Sequence, residues 1–292
     1  MPQNNAPIKL GKFAASKAVV KGSWAILRED KEIMWFPVFS AIVSAVAFLI
    51  MGTVFFVYVL NGDLNNLEAS SQNGGGMGYL LLLIYYLVLF FIVNFFQAGI
   101  LTIAHARFNG QDLTLNDGIR GASRNAGKIF VWSLISATVG VILHAIADRS
   151  KLIGKIVSSI LGAAWSIMTY FSLPSLIIGQ TTVLNSFKES AVLIRKTWGE
   201  ALIVNVGVGF FFSLLFLAGF GVWIAVLFLT QNTFIFLGIT VVLIVYLVVL
   251  TTISSALSVI FKLALYEYAR TGQMPQGFSP ELIQNAIKAK QV

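Results

Sequence analysis

Side chains that could do chemistry are few in this 292-residue chain, and their spacing forms no catalytic or metal-binding set. Cysteine is absent, which excludes disulfides, thiolate metal ligands and cysteine nucleophiles. The two histidines, His105 and His144, fall near the ends of different apolar stretches and are expected on opposite sides of a membrane. We therefore expect no enzyme activity, no cofactor and no bound metal.

The twelve acidic residues lie outside the apolar stretches or at their edges. Ion-coupled transporters usually bury a carboxylate at membrane depth, where its energetic cost is tolerated because function requires it. This distribution argues against a proton- or sodium-coupled antiporter.

Polar side chains inside the apolar stretches form stripes. At about 100° per residue, Asn94, Gln97 and His105 share one arc of a helix, and Asn205 marks another stretch. The favoured interpretation is helix packing, in which amides and hydroxyls bond across helices for about 0.6–2 kcal/mol each. The alternative is a polar cavity lined by these four residues, sized for a lipid headgroup or a small polar solute.

Basic and tryptophan side chains flank the apolar stretches and are candidates for contact with lipid headgroups. They are Trp24, Arg28, Lys31, Arg120, Arg124, Lys188, Arg195 and Trp198. A basic side chain near an anionic leaflet contributes on the order of 1 kcal/mol of attraction, and tryptophan favours the headgroup layer. The simpler interpretation is that these residues only anchor the protein.

The elements that position these residues follow from composition. Apolar residues make up 57% of the chain and charged residues 11%, whereas a soluble domain carries about 25% charged residues. Six stretches approach or exceed the roughly 20 mostly apolar residues that a spanning helix needs. They are 35–60, 79–104, 129–146, 156–178, 201–229 and 234–261. The sequence predicts an all-α, polytopic membrane protein with six transmembrane helices.

Lysine and arginine set the expected orientation. All of them except Arg149, Lys151 and Lys155 fall on one side of a six-span topology. The positive-inside rule then predicts a multi-pass inner-membrane protein with both termini cytoplasmic. The net charge of +8 is attributed to this bias and not to nucleic-acid binding. The three exceptions leave open that segments 129–178 form a re-entrant pair.

An internal repeat suggests how the helices are organised. Residues 115–122 align with 184–191, and residues 23–28 match 190–195. The repeat predicts three units, each an interfacial amphipathic helix plus a transmembrane hairpin, which bury their inner faces by stacking. The expected bounds are about 13–104, 105–178 and 179–269 within one membrane domain, 1–269. A cytoplasmic tail with a short amphipathic helix follows at 270–292.

Four motifs in order resemble a known family. The first is Ser23-Trp24-x-x-Leu27-Arg28-x-Asp30-Lys31-Glu32-x-x-x-Phe36-Pro37, and the others lie within 164–174, 190–200 and 264–272. The pattern resembles the signature of an uncharacterised prokaryotic family of six-helix integral membrane proteins, over about residues 16–290. The repeat layout is more distantly similar to the membrane domains of some glycerophosphodiester phosphodiesterases. No stretch here resembles their catalytic domain, so the resemblance implies a fold and a location but no enzyme activity.

These observations predict a non-enzymatic integral membrane protein that organises lipids or partner proteins at the cytoplasmic membrane face. The alternative is a permease or lipid-handling protein with a polar cavity between the repeats. The expected partners are membrane lipids, chiefly anionic, and a protein partner or a second copy of the chain. Nucleic acid is not an expected partner.

Overall fold

Helices make up all the regular structure in the described part of the chain, which confirms the all-α prediction. The computed structural model describes residues 22–59, 75–148, 153–230, 232–273, 275 and 278. Side chains are not described for residues 58–59, 75–77, 196–208 and 210–211. The predicted helix in the tail at 279–292 therefore lies outside the described residues.

The first helix, α1, occupies residues 22–29. It buries Ser23, Ile26 and Leu27, whose spacing places them on one face of a helix, and it exposes Trp24 and Arg28. A 3-10 turn, Lys31–Met34, connects it to the first long apolar helix.

The remaining helices follow in chain order. They are α2 (Trp35–Val54, extended by a π-helical turn at Phe55–Val59), α3 (Gly75–Phe108), α4 (Leu115–Arg124), α5 (Ala126–Asp148), α6 (Ile153–Met168), α7 (Ser172–Ile177), α8 (Val183–Leu229) and α9 (Thr233–Thr271). Local signals explain the bounds of α9. The side chain of Asn232 accepts hydrogen bonds from the first backbone N–H groups, and Gly272 ends the helix at a φ of 73°.

Six helical segments are long and apolar enough to cross a membrane by length and composition. They are Lys31–Val57, Gly78–Phe108, Ala126–Asp148, Ile153–Ile177, Phe212–Leu229 and Thr233–Thr271. These segments match the six predicted stretches, although α3 and α9 continue several residues beyond the predicted ends of the second and sixth. The chain is a multi-pass membrane protein, and the many exposed large apolar side chains of these helices suit a surface that faces lipid.

The described chain forms two compact units that alternate along the sequence. The first unit comprises Met1–Val38, Ile103–Leu115 and Leu193–Val292, and the second comprises Phe39–Thr102 and Asn116–Val192. The predicted division into three consecutive repeats rests on sequence likeness, and it remains a prediction.

The two best-matching copies of the repeat differ in structure. Residues 115–122 lie in α4, which ends at Arg124, and a turn at Asn125 separates it from α5. The side chain of Asn125 donates to the carbonyl of Gly121 at 3.0 Å, which satisfies an acceptor at the end of α4. Residues 184–191 instead begin α8, which continues without interruption to Leu229.

Candidate functional site

A network of charged side chains holds the segment that follows α1 against the end of α3. Asp30 follows α1, and its side chain is only 7% exposed. Arg107 binds it through two hydrogen bonds, from Nε to Oδ2 at 2.6 Å and from Nη2 to Oδ1 at 2.7 Å. Two parallel bonds between guanidinium and carboxylate give the pair a fixed geometry as well as charge attraction.

Two further acids extend this network within the first unit. Arg107 Nη2 also donates to Asp112 Oδ1 at 2.7 Å, although the Asp112 side chain is 79% exposed. Glu32 accepts a hydrogen bond from the backbone N–H of Leu115 at the start of α4. Two acids of the N-terminal motif, Asp30 and Glu32, therefore fasten the segment after α1 to residues 107–115.

His105 connects the same region to the last helix of the first unit. Its Nδ1 lies 2.5 Å from Glu267 Oε1, and the side chain of Asn109 donates to the His105 carbonyl at 2.8 Å. The sequence grouped His105 with Asn94 and Gln97, but its described polar partners are Glu267 and Asn109. The start of α2, the end of α3 and the end of α9 therefore lie at one end of this unit.

Sequence reasoning missed Arg107 and Glu267 as members of this network. Arg107 belongs to the many basic residues that set the predicted orientation, and Glu267 belongs to the acidic residues outside the apolar stretches. The available signal was that charged residues of both signs accumulate at the ends of spans predicted to lie on the same side. That signal predicts neutralising pairs but does not say which residues pair.

Asn94 lies in the second unit and has one polar partner on its own helix and one on α5. Its Nδ2 donates to the Phe90 carbonyl at 2.7 Å and approaches Ser133 Oγ of α5 at 3.5 Å. Gln97 is half-buried on the same helix. The side chain of Asn205, the fourth predicted cavity residue, lies outside the described part.

The candidate headgroup residues with described side chains are all exposed. Those in the first unit are Trp24, Arg28, Lys31 and Arg195, and those in the second are Arg120, Arg124 and Lys188. The side chain of Trp198 is not described. Arg120 lies 3.9 Å from Asp117 on its own helix, a distance typical of a weak surface pair. These basic groups are accessible to an external anion.

The face of α4 opposite to its exposed basic residues packs closely against α3. A Cβ atom added to Gly121 would lie 2.6 Å from Thr102 of α3. Glycine allows the two helices to approach at this point because it carries no side chain. Gly118 and Ala122 are buried on the same helix, whereas Arg120 and Arg124 are exposed.

Comparison with known sequences shows the family. Residues 76–277 match a family of unknown function, DUF6159. The chain belongs to this family. No curated protein matches the chain. The family assignment confirms the expectation of an uncharacterised family, while the likeness to glycerophosphodiester phosphodiesterase membrane domains remains a prediction.

The network of this DUF6159 protein extends beyond the matched residues. His105, Arg107 and Glu267 lie within the match, whereas Asp30 and Glu32 precede it. Among the described residues of the DUF6159 chain, no group of three or more His, Asp or Glu side chains is placed to hold a metal ion.

Replacing Asn94 by leucine is expected to lower the free energy of unfolding of this DUF6159 protein by about 0.6–2 kcal/mol, the range for hydrogen bonds between membrane helices. Ser133→Ala tests the partner, and a double-mutant cycle in detergent isolates the coupling. An additive double variant would show that the 3.5 Å contact between Asn94 and Ser133 contributes nothing.

Proposed function

We propose that this protein is a non-enzymatic integral membrane protein that organises anionic lipids at the cytoplasmic face of the inner membrane. The observation that carries the proposal is the orientation of α1. It buries Ile26 and Leu27 and exposes Trp24 and Arg28, next to the first span. Lys31 and Trp35, exposed at the start of that span, continue the same surface.

The membrane position of this surface follows from the helix that it precedes. The candidate span begins at Lys31, so the side chains around it lie at the boundary between water and lipid. Trp24 and Trp35 are 45% and 53% exposed, and an indole with an apolar body and one polar N–H suits the headgroup layer. The surface therefore combines aromatic anchors with positive charge.

Arg28 and Lys31 differ from Arg107 in what surrounds them. Arg107 is bound by two carboxylates. Within the described part of the chain, neither Arg28 nor Lys31 forms an ion pair. Their charges are available to lipid phosphates, each for about 1 kcal/mol near an anionic leaflet.

The second unit carries a surface of the same kind on α4. Arg120 and Arg124 are exposed on that helix, and Lys188 is exposed near the start of α8. The proposal therefore draws on exposed basic residues in each of the two units.

The contacts at one end of the first unit bring together residues that the charge bias assigns to the same side of the membrane. Asp30 precedes the first span, Arg107 lies at the end of the second, and Glu267 lies at the end of the sixth. The positive-inside rule assigns all three positions to the cytoplasmic side. Their network brings these three chain positions together. The contacts put these positions on one side of the membrane, and the charge bias is what assigns that side to the cytoplasm.

Replacing Arg28 and Lys31 together by glutamine is expected to weaken binding of phosphatidylglycerol by roughly tenfold or more, because two attractions of about 1 kcal/mol are lost. Retained lipid is measured by native mass spectrometry of the full chain, with phosphatidylcholine as the neutral comparison. Raising the salt concentration should weaken binding to the unmodified protein and have less effect on the double variant.

Lys155→Gln is the matched control for one charge. Lys155 is exposed but lies on the side predicted to face away from the cytoplasm. Retention of phosphatidylglycerol that is unchanged in the Arg28 and Lys31 variant, or lowered equally by Lys155→Gln, would show that α1 is only an anchor.

A permease or lipid-handling protein is the second candidate, and one observation favours it. The hydroxyl of Ser136 in the second unit is buried without a hydrogen-bond partner among the described residues, which is a typical place for a water or a polar ligand. Replacing Asn94 and Gln97 together by leucine should then abolish thermal stabilisation by a transported solute while the protein stays folded. A variant that simply unfolds would show that the polar stripe is structural.

A further inference from the structure

An apolar groove lies between α2 and α3, wholly within the second unit. Its volume is about 650 Å³, and its lining comes from residues between Ala47 and Phe55 on one side and between Gly78 and Val88 on the other. The rings of Phe48 and Tyr85 meet across it with centroids 6.4 Å apart. We propose that this groove binds one acyl chain of a phospholipid from the leaflet opposite to α1.

The position of the groove along the helices identifies its surroundings. At about 1.5 Å per residue, the lining residues of α2 begin about 18 Å beyond Trp35 and end about 30 Å beyond it. Both linings lie within candidate membrane spans. Because the hydrocarbon core is about 30 Å thick, the groove opens to acyl chains in the half of the bilayer away from Trp35.

The shape of the groove depends on two glycines and a distorted helix. A Cβ atom added at Gly52 or at Gly78 would meet nothing within 4 Å, so the missing side chains leave open space. At the end of the groove, α2 changes to a π-helical turn at Phe55–Val59. π-Helical turns are rare, and those that occur are often found at functional sites.

The chemistry of the lining favours a hydrocarbon chain over the other available occupants. Apart from the phenol of Tyr85, the lining side chains are hydrocarbon or thioether, and Met51 adds an adaptable one. Residues 60–74, which connect the two helices in sequence, are rich in asparagine, serine and glycine and supply few apolar side chains. An acyl chain matches the lining and is present at this depth.

Photolabelling tests the proposal independently of the anionic surface. The full chain is reconstituted in phosphatidylcholine vesicles containing a phosphatidylcholine with a diazirine at the end of one acyl chain, and labelled peptides are mapped by mass spectrometry. We expect the label to be enriched at residues 47–55 and 78–88 over the exposed Val241 and Val245 of α9. The labelled lipid is neutral, so a negative photolabelling result would not contradict the proposed binding of anionic lipid by Arg28 and Lys31.

Filling the groove gives the decisive comparison. Gly52→Leu with Gly78→Leu should remove the enrichment, whereas Gly221→Leu with Gly238→Leu, also at positions where a Cβ atom meets nothing within 4 Å, should retain it. Labelling equal to that of Val241 and Val245, enrichment that survives the filled groove, or cross-links between two copies at these residues would each overturn the proposal. If the Gly52→Leu, Gly78→Leu variant melts at a lower temperature than the Gly221→Leu, Gly238→Leu control, the proposal is judged only by whether the unmodified protein shows the enrichment.

Discussion

Arg107→Ala is expected to lower the free energy of unfolding by about 3 kcal/mol, at the lower end of the 3–5 kcal/mol for breaking a buried ion pair. The reason is the carboxylate that the substitution leaves behind. Asp30 is 7% exposed and would lose both of its bonds to the guanidinium. Unfolding of the purified chain in detergent, followed by tryptophan fluorescence, measures the change.

Asp112→Ala is the matched control, because it removes the other carboxylate bound by the same guanidinium. Its side chain is 79% exposed, so the expected loss is only about 0–1 kcal/mol. Arg107→Lys should fall between the two, since a lysine keeps the charge but not the planar fork. Equal losses for Arg107→Ala and Asp112→Ala would contradict a buried, asymmetric network.

Gly121→Ala is expected to destabilise the second unit, although alanine is the better helix former. Its Cβ atom would lie 2.6 Å from Thr102, and overpacking of this kind costs about 1–3 kcal/mol. The gain in helix propensity is at most about 1 kcal/mol. The balance is a lower melting temperature, which thermal unfolding in detergent detects.

Gly127→Ala provides the comparison with opposite sign. A Cβ atom at Gly127 meets nothing within 4 Å, so the substitution should be neutral or stabilising by up to about 1 kcal/mol. Combining Gly121→Ala with Thr102→Ala should restore the melting temperature, because the second substitution deletes the two Thr102 atoms nearest to the new Cβ atom. Two glycine variants of the same sign would refute the close approach of α4 to α3.

The helices could be predicted from the sequence because their signals are local. The six apolar stretches are long enough to be recognised by hydropathy alone, and the capping side chain of Asn232 and the positive φ of Gly272 are properties of single residues. The exposed face of α1 follows from the spacing of Ile26 and Leu27. The second and sixth apolar stretches end before α3 and α9 do, because these helices continue past the membrane into polar sequence.

The charge network was not predictable because its partners are distant in sequence. Asp30 and Arg107 are 77 residues apart, and His105 and Glu267 are 162 residues apart. Hydropathy places such groups near the same membrane surface, but lateral neighbours depend on how the helices pack. The groove between α2 and α3 could not be predicted for a related reason, because Gly52 and Gly78 form no recognisable sequence pattern.

The alternation of the two units along the chain sets an order for biogenesis. Residues of the second unit end at Val192, whereas the first unit needs residues from the beginning, the middle and the end of the chain. All residues of the second unit have therefore been synthesised before the first unit is complete. Asp30 can meet Arg107 early, but His105 must wait for Glu267, near the end of translation. The pair between His105 and Glu267 therefore closes only after the sixth span has been synthesised.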